Sequence, residues 1–318
     1  MTSPRTSRGV DEASLGPAYQ RRWLVLVVLS VSVFVIVMDN TILNVALPRL
    51  VDDLDATTSQ LQWIVDAYTL VYAGLLLTGG SLGDRYGRRR IFVIGTIAFV
   101  AASLLCAVAP TVETLIGARL IQGVGGALLT PGSLAMIEAS FRARDRPRAI
   151  GAWSGLTGVS TAIGPLVGGY LVDAVSWRAV FLLNLPLGAI VVAFAHHVPE
   201  SRDPNAHGHL DFRGATLGAL GLAGTTFALI EGPNGVSAGV IAAGVLGLAA
   251  LVGFVLVERS SANPMMPLDL FRSRTFSAAN AVTFVVYGAI APSSSSWSRS
   301  CRSRSATRPS RRAPRRCP

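Results

Sequence analysis

Eight long apolar segments limit the folds that this chain can adopt. At about 1.5 Å per residue, most of them would exceed the ~30 Å hydrocarbon core of a bilayer if they were helical. Backbone groups in lipid must pair within their own segment, so a helix is expected for each. The segments are Trp23–Leu47, Leu61–Leu82, Ile91–Ala109, Val112–Ile137, Ala149–Val172, Ala179–Val198, Gly214–Ile230 and Val236–Val257, and a ninth opens at Thr275. The pattern predicts an all-α membrane protein.

Composition supports a membrane protein and argues against a nucleic-acid partner. The chain is 51% hydrophobic and 14% charged, whereas soluble domains average about 25% charged residues. The net charge of +10 is dominated by eight arginines after Pro292, in a stretch without acidic residues. Without that stretch the charges nearly balance. The sequence therefore predicts a lipid bilayer, and no nucleic acid, as a partner.

The arginines are distributed unequally between alternate connecting segments. If the N-terminus is cytoplasmic, the inner segments hold 17 arginines and the outer ones two, Arg49 and Arg178. Positively charged loops stay on the cytoplasmic side of a membrane. We therefore predict a multi-pass protein of the cell (inner or plasma) membrane with a cytoplasmic N-terminus. The inner segments are Met1–Arg22, Gly83–Arg90, Glu138–Arg148, Pro199–Arg213 and Glu258–Arg274.

The densest charge lies in residues 80–90, Gly-Ser-Leu-Gly-Asp-Arg-Tyr-Gly-Arg-Arg-Arg, between the second and third apolar segments. We expect a cytoplasmic turn of about ten residues here. Gly83 and Gly87 would allow the chain to turn tightly, and Asp84 could cap a helix or pair with an arginine. The candidates for that pairing are Arg85, Arg88 and Arg89.

Residues 80–90 resemble the G-x-L-x-D-R-x-G-R-R signature that joins the second and third transmembrane helices in the major facilitator superfamily of secondary transporters. Met38–Pro48 is similar to the first-helix motif of the drug:proton antiporter branch with fourteen predicted spans, and Trp177-Arg178 followed by Asn184–Gly188 also fits this branch of multidrug exporters. The fourth-helix motif is matched by Arg119, Gln122, Gly123 and Gly126, and the antiporter motif of the fifth helix by Gly164, Pro165, Gly168 and Gly169. The resemblance covers Trp23 to about Ile290.

The resemblance implies a domain organisation. Residues 23–198 would form the N-terminal six-helix half of a facilitator fold. Two linker helices over 214–257 would follow, and residues 258–290 would hold a connector and a partial ninth helix. The remaining segments would be a cytoplasmic tail (1–22), a cytoplasmic loop (199–213) and an Arg/Ser-rich tail (291–318).

For the charged turn and for the fifth-helix motif, the sequence allows either a role in the movement of a transporter or a purely structural role. The family implies that the turn is a latch between the two halves of a transporter; a generic positive anchor is the alternative. On the fifth segment, small residues four apart allow close helix packing, and Pro165 removes an amide donor. A hinge and ordinary membrane-helix packing both remain open for this segment. The pairs are Gly151 with Gly155, Gly158 with Ala162, and Gly164 with Gly168.

Three ionisable residues lie inside predicted spans, at similar distances from the outer helix ends, and are the candidates for proton coupling. Asp39, Asp66 and Arg119 would share a layer roughly 9 to 12 Å below the outer surface. Charges inside spans usually face a partner or a cavity. We expect Asp39 to be the proton-linked carboxylate, paired with Arg119, and Asp66 to line the same polar cavity. The alternatives are an interfacial cap for Asp39, a headgroup-level position for Asp66 beside Trp63, and a structural donor role for Arg119.

No arrangement typical of an enzyme or a metal site is present in the sequence. Cys106, Cys301 and Cys317 form no disulfide or ligand pattern, and the histidines fall at or after the inner end of the sixth segment. We therefore expect no enzymatic activity, no cofactor and no metal. The histidines are His196, His197, His207 and His209.

Residues 291–318 change character abruptly, to repeated Ser, Arg, Ala and Pro. This composition is typical of a disordered tail. A frameshift is the other interpretation, because codons can be chosen such that restoring one G converts residues 291–312 into an apolar helix and loop. The ninth segment would then continue into a second half. A genuine Arg-rich tail remains the alternative.

Two functional classes follow from the sequence. The first is a proton-coupled secondary transporter that exports small, often lipophilic or cationic compounds by alternating access, with protons and a small-molecule substrate as partners. The second is an inactive, truncated fragment of such an exporter, which would lack the C-terminal half normally present in the same chain.

Overall fold

The computed structural model describes residues 21–202, 211–261, 266 and 268–286. These residues are mainly helical and contain no strand, which confirms the all-α prediction. The N-terminal stretch, the loop residues around His207 and His209, and the Arg/Ser-rich tail lie outside them. In chain order the helices are α1 (Arg22–Leu54), α2 (Thr58–Tyr86), α3 (Arg88–Ala107), α4 (Val112–Ser140), α5 (Arg146–Ala174), α6 (Arg178–Leu182), α7 (Asn184–Phe194), α8 (Phe212–Glu231), α9 (Ala238–Ser260) and α10 (274–286).

Capping residues, rather than the limits of the apolar segments, set where several helices begin. The Thr57 hydroxyl accepts a hydrogen bond from the Gln60 amide, and the Gln60 side chain accepts one in return from the Thr57 amide. Thr111 and Thr114 form the same kind of capping box before α4. Such boxes satisfy amides that have no partner inside the helix. Most helices therefore extend a few residues beyond the apolar segments predicted for them.

The sixth span, Arg178–His197, is one helical segment, as the sequence predicts, but it lacks one hydrogen bond. Leu183, between α6 and α7, keeps helical dihedral angles (φ −59°, ψ −30°), and the break concerns one hydrogen bond in this turn. Pro186 explains the break, because it has no amide to donate to the Leu182 carbonyl four residues earlier. Asn184, the first residue of α7, lies in this turn.

Helix α4 lies between α2 and α3 and also contacts α1, while α1 packs on α5 and α7. Glycines on α4 allow the two close approaches. A methyl group on Gly125 would lie 2.8 Å from the Phe99 Cα of α3, and one on Gly123 would lie 2.7 Å from the Tyr68 carbonyl oxygen of α2. Small residues at such contacts let membrane helices pack backbone to backbone.

Helices α8 and α9 pack on one another, and α8 packs on α2. Near the C-terminal end of α8, Glu231 Oε1 accepts hydrogen bonds from Ser59 Oγ (2.6 Å) and Trp63 Nε1 (2.9 Å). Further along α2, Gly74 lies against Ala219. The two additional helices are thus attached to the bundle through the face of α2.

Residues 267 onward form a second compact unit. Its described part contains a 3-10 turn, Leu268–Arg272, followed by α10. The Ser277 hydroxyl donates to the Phe271 carbonyl, and the rings of Phe271 and Phe276 meet edge to face. The structure thus describes a helix at the position where the sequence predicts the opening of a ninth.

The α3–α4 contact gives a direct test of glycine packing. Gly125→Ala should destabilise the protein by about 1–3 kcal/mol, because the added methyl has no room against the α3 backbone. Gly155→Ala is the matched control, since no described atom lies within 4 Å of its added methyl. Thermal unfolding in detergent, followed by tryptophan fluorescence, measures both. Equal unfolding temperatures for the two variants would contradict the close approach of α3 and α4.

Candidate functional site

A fully buried ion pair joins α1 to α4. Arg119 Nη1 lies 2.5 Å from Asp39 Oδ2, and the two residues are 0% and 1% exposed. Both side chains come from the interiors of long apolar helices, where an isolated charge is costly. The pair therefore neutralises two charges that neither helix could bury alone.

Three further polar side chains surround this pair. Gln122 Nε2 donates to Asp39 Oδ1 (3.0 Å) and to Ser103 Oγ (2.8 Å), while Gln122 Oε1 accepts from Arg119 Nη1 (2.7 Å). Asn184 Nδ2 donates to the same Asp39 oxygen (2.6 Å) and to Ser103 Oγ (3.1 Å). We call these five residues, contributed by α1, α3, α4 and α7, the Asp39 network.

Arg119 is also held from α2. Its Nε donates to the Ile64 carbonyl at 3.1 Å, and its guanidinium carbon lies 4.3 Å from the centre of the Tyr68 ring. A guanidinium over an aromatic face gains cation–π attraction, more so where water is excluded. Nη2 is buried and makes no hydrogen bond within the described part of the chain. Arg119 thus links α2, α4 and α1 through a single side chain.

The Asp39 network separates two apolar clusters along the helices. On α1, Ile36 belongs to one cluster and Met38 to the other; on α3, Phe99 and Cys106 belong to the two clusters in the same way. Asp39 and Ser103 come at the junctions. The network is therefore a polar layer inside an otherwise apolar bundle, where interactions between charges are stronger than in water.

The structure does not bring Asp66 into this network. Asp66 is half-buried, and it makes no hydrogen bond or ion pair with any described residue. It lies on the exposed side of α2 together with Gln62, Thr69 and Leu77, whereas Ile64 and Tyr68 face Arg119. Counting residues from a helix end gives the depth of a side chain but not the side of the helix on which it lies.

The fourth-helix glycines contact α2. Gly123 lies against the Tyr68 backbone, and a methyl group on Gly126 would lie 3.1 Å from the Tyr68 hydroxyl oxygen. Both glycines follow Arg119 on the same face of α4, as the sequence predicted from their spacing. They let α2 come close enough for the Tyr68 ring to lie against the Arg119 guanidinium.

The charged segment between α2 and α3 is much tighter than the turn of ten residues that the sequence predicts. Gly87 alone separates the helices, with φ of 111°. That backbone conformation is readily available only to glycine. Gly83, by contrast, lies within α2, and Asp84 does not cap α3. Instead, Asp84 Oδ1 accepts from Nε and Nη2 of Arg88, both at 2.7 Å, so the ion pair crosses the break.

A contact not foreseen from the sequence holds this junction. The segment after the sixth span packs on it: the Arg88 amide donates to the Ser201 carbonyl, and the Arg89 amide donates to Glu200 Oε1, both at 3.0 Å. Arg89 Nη1 also donates to the Val198 carbonyl. The charged junction is therefore tied to the end of the sixth span within the same six-helix bundle.

The fifth-helix motif divides between two faces of α5. Gly164 and Gly168 are buried against Thr41 and Ile42 of α1, so tightly that a methyl group would collide with those side chains. Gly169 has no described atom within 4 Å of an added methyl, and the same holds for the glycines earlier in the helix, Gly151, Gly155 and Gly158. Only one of the three predicted small-residue pairs therefore packs on another described helix. Pro165 lies inside α5, which continues through it.

No role was predicted from the sequence for Asn184, Ser103 or Cys106. Asn184 was noted only as part of a motif, and a single Ser in an apolar helix is too common to indicate a site. Cys106 donates to Gln122 Oε1 with a sulfur–oxygen distance of 3.7 Å. An Asn directly before an apolar helix that contains Pro is the one signal that could have been used, because Asn in a membrane helix needs a partner.

Comparison with known proteins identifies the family. The sequence profile of the Major Facilitator Superfamily matches residues 29–300. The chain belongs to this superfamily. A methylenomycin A resistance protein from Streptomyces coelicolor is 41% identical over 292 residues, which is 90% of this chain and 61% of that protein. The multidrug efflux pump LfrA from Mycolicibacterium smegmatis is 39% identical over 268 residues, 83% of this chain and 53% of the pump.

A solved structure shows the same fold. The crystal structure of a peptide transporter, POT, superimposes with a TM-score of 0.57 at 16% identity, over 74% of this chain and 52% of that one. The helices described here are those of the N-terminal half of a facilitator fold, with further helices after it. The chain spans about half to three-fifths of the length of its curated relatives. It is a multi-pass membrane protein of a transporter family.

Proposed function

We propose that this chain forms the N-terminal part of a proton-coupled exporter of small, often lipophilic or cationic compounds, working by alternating access. The observation that carries the proposal is the buried ion pair between Asp39 and Arg119. A carboxylate that is fully withdrawn from water, inside a membrane helix, is a usual feature of proton-linked transport. The relatives named as resistance and efflux proteins support a drug-like substrate.

In this proposal Asp39 binds and releases the transported proton, and Arg119 balances its charge. Protonation of Asp39 removes the attraction to Arg119 and loosens the contact between α1 and α4. Deprotonation restores the pair and closes the polar layer. Gln122 contacts both residues and keeps them aligned. Asp66, on the exposed side of α2, is assigned the separate task of lining the cavity.

The membrane orientation, the charged junction, the fifth-helix motif and helices α8 and α9 each have a role in this proposal. The N-terminus and the Arg-rich junctions lie on the cytoplasmic side of the cell membrane, as the arginine distribution favours. The residues of the charged junction act as a latch towards a second half, and the fifth-helix motif around Pro165 acts as a hinge. Helices α8 and α9 are the pair inserted between the halves of a fourteen-span antiporter. The latch residues are Gly83, Asp84, Arg85, Gly87, Arg88 and Arg89.

Transport driven by a proton gradient tests the proposal. The chain is co-expressed with the C-terminal half of the Streptomyces coelicolor relative, and uptake of a lipophilic cationic dye is followed in inverted vesicles with an imposed pH gradient. We expect uptake that collapses within seconds when a protonophore is added. The same vesicles without the gradient are the control. Uptake that persists after the protonophore, or that requires ATP, would contradict proton coupling.

The alternative is that the chain by itself has no transport activity. Wide exposed faces of α2 and α5 support it: Leu166 and Tyr170 of α5 are 75% and 72% exposed, and polar residues such as Gln62 and Thr161 lie on these faces. Polar side chains on a membrane helix usually face protein or water. These faces fit a second half that covers them, so the chain expressed without one distinguishes the two possibilities.

A further inference from the structure

We propose that Asn184 is the residue that positions the carboxylate of Asp39, and so ties the sixth span to proton binding. This inference rests on the proposed function for its link to protons. It goes further by naming a side chain that none of the motif interpretations uses for coupling. Asn184 is a positioning residue, because it acts on the proton through Asp39.

The geometry gives Asn184 a specific role at one oxygen. Asp39 Oδ2 is taken by Arg119, while Oδ1 accepts from Asn184 at 2.6 Å and from Gln122 at 3.0 Å. Gln122 is on the same helix as Arg119, so these two contacts tie Asp39 only to α4. Asn184 alone among the partners of Asp39 comes from α7.

Both hydrogens of the Asn184 amide nitrogen are used. Its Nδ2 donates one hydrogen to Asp39 Oδ1 and the other to Ser103 Oγ of α3. The residue is 2% exposed, so no water competes for these hydrogens. A buried donor that loses its acceptor costs free energy. The position and orientation of Asp39 are therefore fixed jointly by α3, α4 and α7.

The location of Asn184 makes this contact sensitive to movement. Asn184 lies in the turn of the sixth span where Pro186 leaves the Leu182 carbonyl without its helical donor. A bend of the sixth span at this proline-weakened turn would move the Asn184 amide relative to Asp39 without unfolding the helix. When Asp39 takes up a proton on Oδ1, that oxygen becomes a weaker acceptor for the Asn184 amide. Proton binding and the arrangement of the sixth span are thus linked through one hydrogen bond.

Exchanging the side chains of Asp39 and Asn184 tests the inference on the 318-residue chain without a transport assay. Cys106 is buried within the core beside Gln122, so a thiol-reactive fluorogenic dye reports its exposure on heating once Cys301 and Cys317 are replaced by Ser. In this background we compare Asn184→Asp, Asp39→Asn and the double exchange Asp39→Asn/Asn184→Asp.

Asn184→Asp is nearly isosteric but replaces a donor by an oxygen facing Asp39 Oδ1. We expect the unfolding temperature to fall by about 5 °C or more. The double exchange should recover most of that loss, because an amide at position 39 can donate to a carboxylate at position 184. Thr96→Val is the matched control, since Thr96 is buried near Gly188 at the α3–α7 contact and lies outside the Asp39 network.

The pH dependence separates positioning from simple packing. The deficit of Asn184→Asp should shrink between pH 8 and pH 5, because one proton shared by two carboxyls replaces the lost donor. Thr96→Val should show the same deficit at both values. Unchanged stability of Asn184→Asp would overturn the inference. So would additive stability changes of Asn184→Asp and Asp39→Asn in the double exchange. Failure of both Asn184→Asp and the double exchange to reach the membrane would also overturn it. Dye transport that is not driven by protons would refute the proposed function and leave this coupling intact.

Discussion

Replacing Asp39 with Asn is expected to abolish efflux driven by a pH gradient. The amide cannot exchange a proton, and it leaves the Arg119 charge buried without its counter-ion. The rate in vesicles that contain the chain together with a C-terminal half should fall to that of passive leak. Gradient-driven dye transport, normalised to the amount of protein in the membrane, is the measurement.

Three comparison variants make this result interpretable. Breaking a buried ion pair costs about 3–5 kcal/mol, so the double change Asp39→Asn/Arg119→Gln, which removes both charges, should restore stability without restoring efflux. Asp39→Glu keeps a carboxylate and should keep part of the coupling. Asp66→Asn removes a carboxylate of similar depth that does not contact Arg119, so coupling should survive. Wild-type gradient-driven efflux in Asp39→Asn would refute the role of Asp39.

The 318-residue chain expressed alone is expected to confer no drug resistance and to be degraded several times faster than when a C-terminal half is present. The exposed faces of α2 and α5 carry polar groups, including Asp66 and Thr161, that would otherwise meet lipid. Burying such groups without partners is costly. Pulse-chase half-life and growth in the presence of a lipophilic cationic drug measure the two effects.

A matched control combines the same second half with a variant whose charged junction between α2 and α3 is weakened. Asp84→Ala removes the ion pair with Arg88, so if the junction acts as a latch between halves, the C-terminal half should protect this variant less well. Raised resistance from the short chain alone would contradict the prediction. It would mean that two copies of the six-helix bundle cover one another.

The number, order and approximate limits of the membrane helices could be predicted from the sequence, because burial in lipid depends on local composition. Arg119, Gln122, Gly123 and Gly126 could be placed on one face of α4 for a similar reason: helical periodicity alone determines which residues of a helix lie together. The pairing of Asp39 with Arg119 followed from equal depth, and the structure brings these two side chains into contact.

Other features required knowledge of neighbouring helices. Asp66 has nearly the same predicted depth in the membrane as Asp39, but it lies on the exposed side of α2. The depth of a residue does not determine which side of its helix it occupies. Gly164 and Gly168 pack on α1, whereas Gly151 and Gly155, with the same spacing, have no described atom within 4 Å of an added methyl group. Spacing identifies surfaces that permit close packing, and only the arrangement of helices decides which of them is occupied.

The sequence by itself determined that this chain is a bundle of membrane helices with charges inside it, because apolar length and the cost of burying charge act residue by residue. Only the tertiary structure decided that Asn184 completes the partners of Asp39, that Ser103 accepts from Asn184, and that Glu200 and Ser201 hold the Gly87 junction. These contacts join residues more than 80 positions apart, and hydrogen bonds at such separations depend on how helices pack rather than on any local pattern.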